Sequence, residues 1–157
     1  MQKILRQFNN VIRLDINKVL NEVFKDKTVQ QRIISINTFD QLFDEGINAV
    51  GVRLDSIGGE YAINTIEGVP GKFEGKRQRG LPYDHITLFD TGDYYQSHYI
   101  LVFRDHIEIK SNPIKGETNL YDEWGDDIVG IAPKNIPKVA NIILPLIRII
   151  TLRDSLK

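Results

Sequence analysis

Apolar side chains recur at helical spacing near the start of the chain. Between residues 3 and 25 they fall three or four positions apart, with charged and amide side chains between them, which predicts an amphipathic helix. A second helix is predicted from about Val29 to Ser35, with Thr28 as its N-cap. A further helical turn is predicted from Thr38 to Phe43, and Gly46 would end it. The first third of the chain is therefore predicted to be helical.

The middle of the chain has the pattern of strands and turns. Residues 49–54 and 86–89 are predicted strands. Residues 97–104 and 106–110 alternate most regularly and predict an antiparallel hairpin. One face of that hairpin is predicted to carry Tyr99, Leu101 and Phe103. Ile107 and Ile109 are predicted to lie opposite them.

A short helix broken at Gly125 is predicted within residues 120–131, and a last helix over about 135–156. The predicted fold class is α+β, with N- and C-terminal helices packed on a small antiparallel β-sheet that contains a hairpin near residues 97–110. With no repeat and no linker, residues 1–157 are expected to form one domain.

Composition narrows the classes of function. The 157 residues include 20 basic and 21 acidic side chains, so the chain as a whole lacks the basic excess of a free nucleic-acid binder. Without cysteine it has no disulfide, thiolate nucleophile or cysteine-ligated metal. The N-terminus lacks the unbroken apolar stretch of a signal peptide, and no apolar run reaches the roughly 18 residues of a membrane span. We expect a soluble protein made in the cytoplasm, with no membrane contact.

A glycine-rich basic segment covers residues 68–82. One interpretation is a solvated loop, and the other is contact with a phosphate backbone, without sequence specificity. In a ring the segment could line a channel through which DNA passes. The basic side chains that would face DNA are Lys72, Lys76, Arg77 and Arg79.

Acidic residues and histidines cluster between positions 84 and 106, but no catalytic residue is predicted. Asp90-Thr91-Gly92 resembles the nucleophile turn of aspartic proteases, which need a second carboxylate. The favoured interpretation is that Thr91 or Asp90 caps a helical turn that runs through Ser97. His98 and His106 on paired strands are expected to be surface or hydrogen-bonding histidines and not metal ligands. Phosphate-binding and nucleophile-elbow motifs are absent. The sequence predicts a protein that is not an enzyme and needs no cofactor; a small hydrolase using His85, Asp90 and Asp93 is the alternative.

The C-terminal segment is apolar on nearly all sides of the predicted helix. It is expected to be too short and too interrupted by Pro145 to span a bilayer. A subunit interface is one interpretation, and a central core helix is the other. The predicted interface residues are Ile142, Ile143, Leu146, Ile147, Ile149 and Ile150.

Four short stretches occur in order along residues 40–131, a little over half the chain. They are QLFDEG at residues 41–46, YAINT at 61–65, ITLFDTGDYYQS at 86–97 and WGDDIVGI at 124–131. Together they resemble head–tail connector, neck-ring and tail-completion proteins of tailed phages, most closely the type of crAss-like phages. Trp124 stands where that family more often has a tyrosine-like aromatic residue.

The resemblance implies a non-catalytic structural protein with a helix packed on a small antiparallel sheet. It implies a homo-oligomeric ring in the head–tail connector or neck, or one that completes the tail, around the DNA channel. Its partners would be copies of itself, portal, neck or tail proteins, and passing DNA bound without sequence specificity. The protein would be located in the virion after assembly in the host cytoplasm. From the residues alone, a nucleic-acid-binding module that uses residues 72–79 is the other alternative.

Overall fold

The computed structural model describes residues 16–156, which form an α+β fold of seven α-helices and three two-stranded antiparallel sheets within that range. The α-helices are α1 (Ile16–Lys25), α2 (Lys27–Ser35), α3 (Asp55–Gly58), α4 (Ile63–Glu67), α5 (Asp93–Gln96), α6 (Leu120–Trp124) and α7 (Ile136–Ser155). The strands are β1 (Gly68–Val69), β2 (Phe73–Glu74), β3 (Tyr99–Val102), β4 (Ile107–Lys110), β5 (Ile114–Lys115) and β6 (Thr118–Asn119). The predicted fold class is confirmed. Of the predicted helix over residues 3–25, positions 3–15 lie outside the described residues.

Asp26 forms the tight connection between the first two helices. Its Oδ1 accepts hydrogen bonds from the backbone N–H groups of Thr28 at 2.7 Å and Val29 at 3.4 Å, so Asp26 is the N-cap of α2. The prediction of Thr28 as the cap is therefore wrong by two residues. An acceptor at position 26 starts the helix earlier, at Lys27.

The predicted separate turn at 38–43 is part of a longer helix. The chain continues from α2 into a π-helical segment, Ile36–Glu45, which ends at Gly46 in the left-handed conformation with φ 62°. Thr38 does not cap this segment, because its Oγ1 donates to the carbonyl of Ile34 one turn earlier, at 3.0 Å. The end predicted at Gly46 is confirmed.

The buried side chain of Gln41, on the π-helical segment, makes hydrogen bonds to the chain just before α7. Its Oε1 accepts from the Ala132 N–H at 2.7 Å and its Nε2 donates to the Gly130 carbonyl at 3.0 Å. Asn135, next to the start of α7, also donates to Gln41 Oε1, at 3.3 Å. These bonds satisfy backbone groups of an irregular segment that is itself buried at Ala132.

Two predicted strands do not form. Within residues 49–54, Asn48 Oδ1 accepts from the N–H groups of Val50 and Val52, which closes a turn, and a single bridge joins Ile47 to Arg53. Residues 86–89 pair with side chains and not with a strand, and Leu88 between them has a φ of 56°. Hydrogen bonds to side chains thus take the place of strand pairing at both places.

The predicted hairpin is confirmed as β3 paired with β4, but its faces differ from the prediction. Ile100 lies opposite Ile109 and Val102 opposite Ile107, so the isoleucines share the face of Ile100 that packs on the helices. Tyr99, Leu101 and Phe103 are exposed on the other face. The predicted pairing was out by one residue, which exchanges the two faces of a strand.

Two clusters of buried side chains divide the interior. The helical cluster comprises Val23, Val29, Ile33, Ile34, Ile36, Ile100 and Ile142. The aromatic cluster comprises Leu42, Leu54, Ile86, Leu88, Tyr94, Tyr95, Leu120 and Ile128, with Phe43, Tyr61, Phe89, Tyr121 and Trp124 packed against it. The continuous helix 27–45 contributes to both, since its first half carries Ile33 and its second half carries Leu42.

Candidate functional site

The helix α7 packs one side against this chain and presents the other to solvent. Of the six residues predicted as a subunit interface, Ile142 is buried in the helical cluster, and Ile143, Leu146, Ile147 and Ile150 lie half-buried against it. Only Ile149 among the six is exposed, at 62%. The predicted set therefore mixes both sides of the helix, and it is corrected accordingly: five of its members serve the core of this chain.

The exposed side of α7 carries a second row of apolar side chains, which we call the outer face. Its members are Leu144, Ile149 and Leu152, with Leu156 at the C-cap of the helix. At about 100° per residue these four positions lie within an arc of about 140° around the helix axis. The exposed Arg148 lies within this row in sequence. The helix α7 therefore has apolar side chains on two sides, and residues 16–156 cover only one of these sides.

The same region is long and apolar enough to cross a membrane by length and composition, over Asp126–Asp154. The expectation that it is too short is thus wrong, because α7 runs through Pro145 for 20 residues. One such helix does not establish a membrane span, since core helices of soluble proteins meet the same criterion. The absence of membrane contact stays a prediction.

The four basic residues of the segment 68–82 do not form one exposed patch. Lys72 is exposed, Arg77 pairs with Glu67 at 2.5 Å, and Arg79 pairs with Asp90 at 2.6 Å. Lys76 is only 3% exposed, so its prediction as a residue that faces DNA is wrong. Because the segment folds into the short β1–β2 hairpin, Gly75 packs directly on the backbone of Ile66 and Gly68, and Lys76 follows it into the interior.

The acidic and histidine residues near the middle of the chain do not converge on one point. His85 contacts Asp84 and the Phe43 carbonyl and lines a different cavity from the one that Asp90 and Asp93 share. Among residues 16–156 no group of three or more acidic or histidine side chains could hold a metal ion.

His98 is buried and not at the surface. Its Nδ1 lies 3.0 Å from the Tyr94 carbonyl, which fits the predicted hydrogen-bonding role but not a place at the surface. Burial lowers the pKa of His98, opposed by its bonds to the Tyr94 and Tyr95 carbonyls.

Asp90 is held ionised by two cations. Burial alone would raise the pKa of its carboxyl group, but Arg79 and Lys115 lower it below the usual value of 3.8. Lys115 Nζ lies 3.3 Å from Asp90 Oδ2. The predicted helical turn after Thr91 is present as α5, but its N-cap position is taken by Gly92, which makes no side-chain bond. Asp90 thus joins two segments by ion pairs and does not cap α5.

A cavity of about 410 Å³ lies beside Lys76 and was not foreseen from the sequence. Its lining comes from α4, the β1–β2 hairpin, residues 88–90, β5–β6 and α6. The only signal in the sequence was the lysine in a glycine-rich stretch, and no periodic pattern marks the rest. No protein-family model, curated protein or solved structure significantly matches this chain.

Proposed function

We propose that this chain is a structural, non-catalytic protein of a tailed-phage particle, which assembles into an oligomeric ring in the head–tail connector or neck, or at the end of the tail. The observation that carries the assembly role is the outer face of α7, where Leu144, Ile149 and Leu152 are each more than half exposed. Soluble monomers seldom expose contiguous apolar patches without an interaction to cover them. The placement in a phage particle rests on the resemblance of the four short stretches.

Residues on the outer face favour a protein partner over lipid. Arg148 lies among them, and Arg153 at the end of the helix makes two bonds to Glu22 on α1, at 2.8 and 2.9 Å. An arginine in the middle of a lipid-facing helix costs free energy, whereas a protein interface accommodates it readily. A second copy of this chain is therefore the proposed occupant.

The hairpin offers a second surface for assembly. Tyr99, Leu101 and Phe103 are 50%, 39% and 42% exposed on the side of β3 that faces away from the helices. Within residues 16–156 the β3–β4 sheet has only two strands, so each strand has an edge without a strand partner. Strand addition between subunits would cover both the edges and these side chains.

Contact with DNA in a ring would use fewer residues than the sequence predicted. Lys72 is exposed, and Arg77 and Arg79 are partly neutralised by ion pairs with Glu67 and Asp90. Weak attraction without sequence specificity suits a channel through which DNA must pass. We propose this contact as a minor part of the function.

The assembly role is tested by sedimentation velocity of the full chain over a range of protein concentrations. We expect the wild type to form a defined oligomer and the double variant Leu144→Glu/Ile149→Glu to sediment as a monomer, because two charges at the centre of the interface lose their hydration. Gln31→Glu is the control, since it adds a charge at an exposed polar position of α2, outside the outer face, and should leave the oligomer intact.

Other outcomes would overturn the proposal. A wild type that stays monomeric at every concentration, alone and with connector proteins, contradicts self-assembly. Co-flotation with phosphatidylcholine–phosphatidylglycerol vesicles that the double variant abolishes would instead make the outer face a membrane-binding surface. The phage assignment is tested separately by the neighbouring genes, among which a portal or major capsid gene is expected.

A further inference from the structure

The cavity beside Lys76 is lined by aromatic side chains that are partly exposed. Its volume of about 410 Å³ lies within the range of roughly 300–1,000 Å³ that is usual for ligand pockets. Phe73 on β2 is 53% exposed, and Tyr61, Phe89 and Trp124 are half-buried. These rings come from four separate segments of the chain, and rings grouped in this way can stack on a planar ligand. The cavity is therefore suited to a planar aromatic ring.

Three cations and one carboxylate meet at one wall of this cavity. Arg79 Nη2 lies 2.6 Å from Asp90 Oδ1, and Lys115 Nζ lies 3.3 Å from Asp90 Oδ2. Lys76 is close enough to these three groups for their charges to affect its pKa. Since one carboxylate cannot neutralise three cations, this wall of the cavity has a positive excess.

Lys76 contributes charge to this wall and not a hydrogen-bond donor. Its Nζ donates to the Phe89 carbonyl at 2.5 Å and to Thr87 Oγ1 at 3.3 Å, and the centre of the Tyr61 ring lies 4.7 Å away. These three groups account for the three N–H donors of an ammonium group. Burial lowers the pKa of Lys76 from 10.5 to about 8, so at pH 7 roughly nine side chains in ten still carry the proton.

Arg79 and Lys115, in contrast, are exposed and have donors left for a ligand. An arginine has five N–H donors and a lysine ammonium group has three, whereas Asp90 offers one oxygen to each of them. Both residues line the cavity from different segments, Arg79 from the loop after β2 and Lys115 from β5. An anion placed between them would receive charge-assisted hydrogen bonds from both.

Two further carboxylates, those of Glu74 and Glu123, also line the cavity. Both residues are exposed, and within residues 16–156 neither forms an ion pair with Arg79 or Lys115. Neither is among the charges that affect the pKa of Lys76. The positive wall is therefore not neutralised by these two glutamates.

The backbone beside this wall is strained. Leu88 lines the cavity between Thr87 and Phe89 and has a φ of 56°, which is rare for a residue with a large side chain. Strain of this kind concentrates at functional sites. Here it lies in the segment that supplies both oxygen acceptors for Lys76.

We propose that this cavity binds a small planar aromatic anion, with its ring among the four aromatic side chains and its carboxylate or phosphate group against Arg79 and Lys115. The ligand is held by stacking and by ion pairs, and no covalent step takes place. The residues of 16–156 that line the cavity include none from α7, so the site is separate from the proposed assembly surface. It does not depend on the phage assignment.

The test is isothermal titration calorimetry of the full chain with four compounds that share one ring system. 1-Naphthoate and 1-naphthyl phosphate are anions, 1-naphthamide is neutral, and 1-naphthylmethylammonium is a cation. We expect at least one anion to bind about tenfold more tightly than the amide or better, because only the ionised groups form charge-assisted hydrogen bonds. The tighter of the two anions identifies the group that the site prefers.

Three results in the wild type would overturn the proposal. They are no saturable binding of either anion, anions that bind no more tightly than the amide, and a cation that binds as tightly as the better anion. The last result would assign the binding to Glu74 and Glu123 and not to the positive wall.

Arg79→Gln tests the contact assigned to the anion. It should weaken binding of the better anion about tenfold or more, and binding of the amide less than about twofold. Arg77→Gln is the matched control, because Arg77 lies two residues earlier, pairs with Glu67 and does not line the cavity. An equal loss in both variants would indicate general electrostatic attraction and contradict the site. If Arg79→Gln does not fold, the comparison of the four compounds in the wild type still decides the question.

Trp124, the only tryptophan of the chain, reports where the ligand binds, because it lines the cavity. Protein that contains 5-fluorotryptophan gives one ¹⁹F resonance, which should shift saturably with the Kd found by calorimetry. The shift should persist in Leu144→Glu/Ile149→Glu, whose substitutions lie on the outer face of α7. A resonance that does not move while calorimetry detects binding would place the ligand elsewhere and overturn the proposal.

Discussion

The helical cluster consists of aliphatic side chains from three helices and one strand. Apart from Leu42 on the continuous helix 27–45, the aromatic cluster consists of buried side chains from loops, turns and short helices. In the first, the backbone is satisfied by the helices themselves. In the aromatic cluster, side chains supply the hydrogen-bond partners that backbone groups lack outside regular secondary structure. Tyr61 accepts from the Thr87 N–H at 2.9 Å, and Tyr95 donates to the Thr87 carbonyl at 2.5 Å.

This difference separates the cavity beside Lys76 from the surface that we propose for assembly. Lys76, its acceptors and the cavity all adjoin the aromatic cluster, where polar groups have to enter the interior to satisfy the backbone. The helical cluster is built of aliphatic side chains on regular elements, and α7 beside it has an apolar outer face. The cavity and the outer face thus belong to two regions whose interiors are built in different ways.

The largest effects are expected from truncating one residue in each cluster. Ile33 and Leu42 are fully buried on the same continuous helix, Ile33 in the helical cluster and Leu42 in the aromatic cluster. Ile33→Ala and Leu42→Ala should each lower the free energy of unfolding by about 2–5 kcal/mol. Because one helix joins the clusters, both substitutions should shift the urea midpoints of circular dichroism and of Trp124 fluorescence together.

The two probes can also separate the clusters. Circular dichroism reports mainly the helices, and Trp124 reports the aromatic cluster. If Ile33→Ala moves only the circular dichroism transition, the clusters unfold independently and the joining role of the helix is wrong. Gln31→Ala, at an exposed position of α2, is the control and should change stability by less than about 0.5 kcal/mol.

A smaller effect is expected from the amide that ties the π-helical segment to the start of α7. Gln41→Leu removes the partners of the Ala132 N–H and the Gly130 carbonyl, and each buried group left unsatisfied costs about 1–3 kcal/mol. Gln41→Glu keeps the acceptor for Ala132 and, once protonated, can again donate to Gly130. Its stability, measured by urea unfolding, should therefore recover as the pH falls from 8 to 5.

The Leu variant serves as the control for the Glu variant. It has no group at position 41 that titrates, so any pH dependence that it shares with Gln41→Glu belongs to the rest of the protein. A Gln41→Leu protein as stable as the wild type would show that packing, and not the hydrogen bonds, positions the start of α7.

The sequence predicts the helical region better than the aromatic one for a physical reason. The spacing of Val29, Ile33 and Ile36 is a periodic signal, and α1, α2 and α7 lie close to where it indicates. The hairpin was located correctly, but its faces were not, because alternation alone does not say which side meets the helices.

Periodic sequence patterns predict neither the cavity nor which residues of α7 form the outer face. Lys76 is buried because of the close approach of Gly75 to Ile66 and of long-range bonds to residues 87 and 89, which no local pattern encodes. The segment 142–152 is apolar on nearly all sides, so the sequence could not separate Ile142, which is buried, from Ile149, which is exposed. Both distinctions depend on contacts far apart in the chain.

The smallest effect is expected from two histidines at opposite ends of the hairpin, which respond to pH with opposite signs. Burial lowers the pKa of His98, so as the pH falls through 6.5 the unfolded chain takes up a proton that the folded chain resists, and stability falls. A hydrogen bond to Asp105 raises the pKa of His106, so the folded chain takes up its proton first. The stability from His106 is fully present below pH 6.5 and is lost as the pH rises through the raised pKa.

Replacing each histidine with glutamine separates the two contributions in urea unfolding between pH 5 and pH 8. His98→Gln should flatten the loss of stability in acid, because the group that resists protonation is gone. His106→Gln should steepen it, because the exposed histidine that gains stability in acid is removed. The effect of His98 should be the larger, since it is buried against Tyr94 and its Nε2 has no hydrogen-bond partner among residues 16–156. If the two variants change the slope in the same direction, the contrast between a buried and an exposed end of the hairpin is wrong.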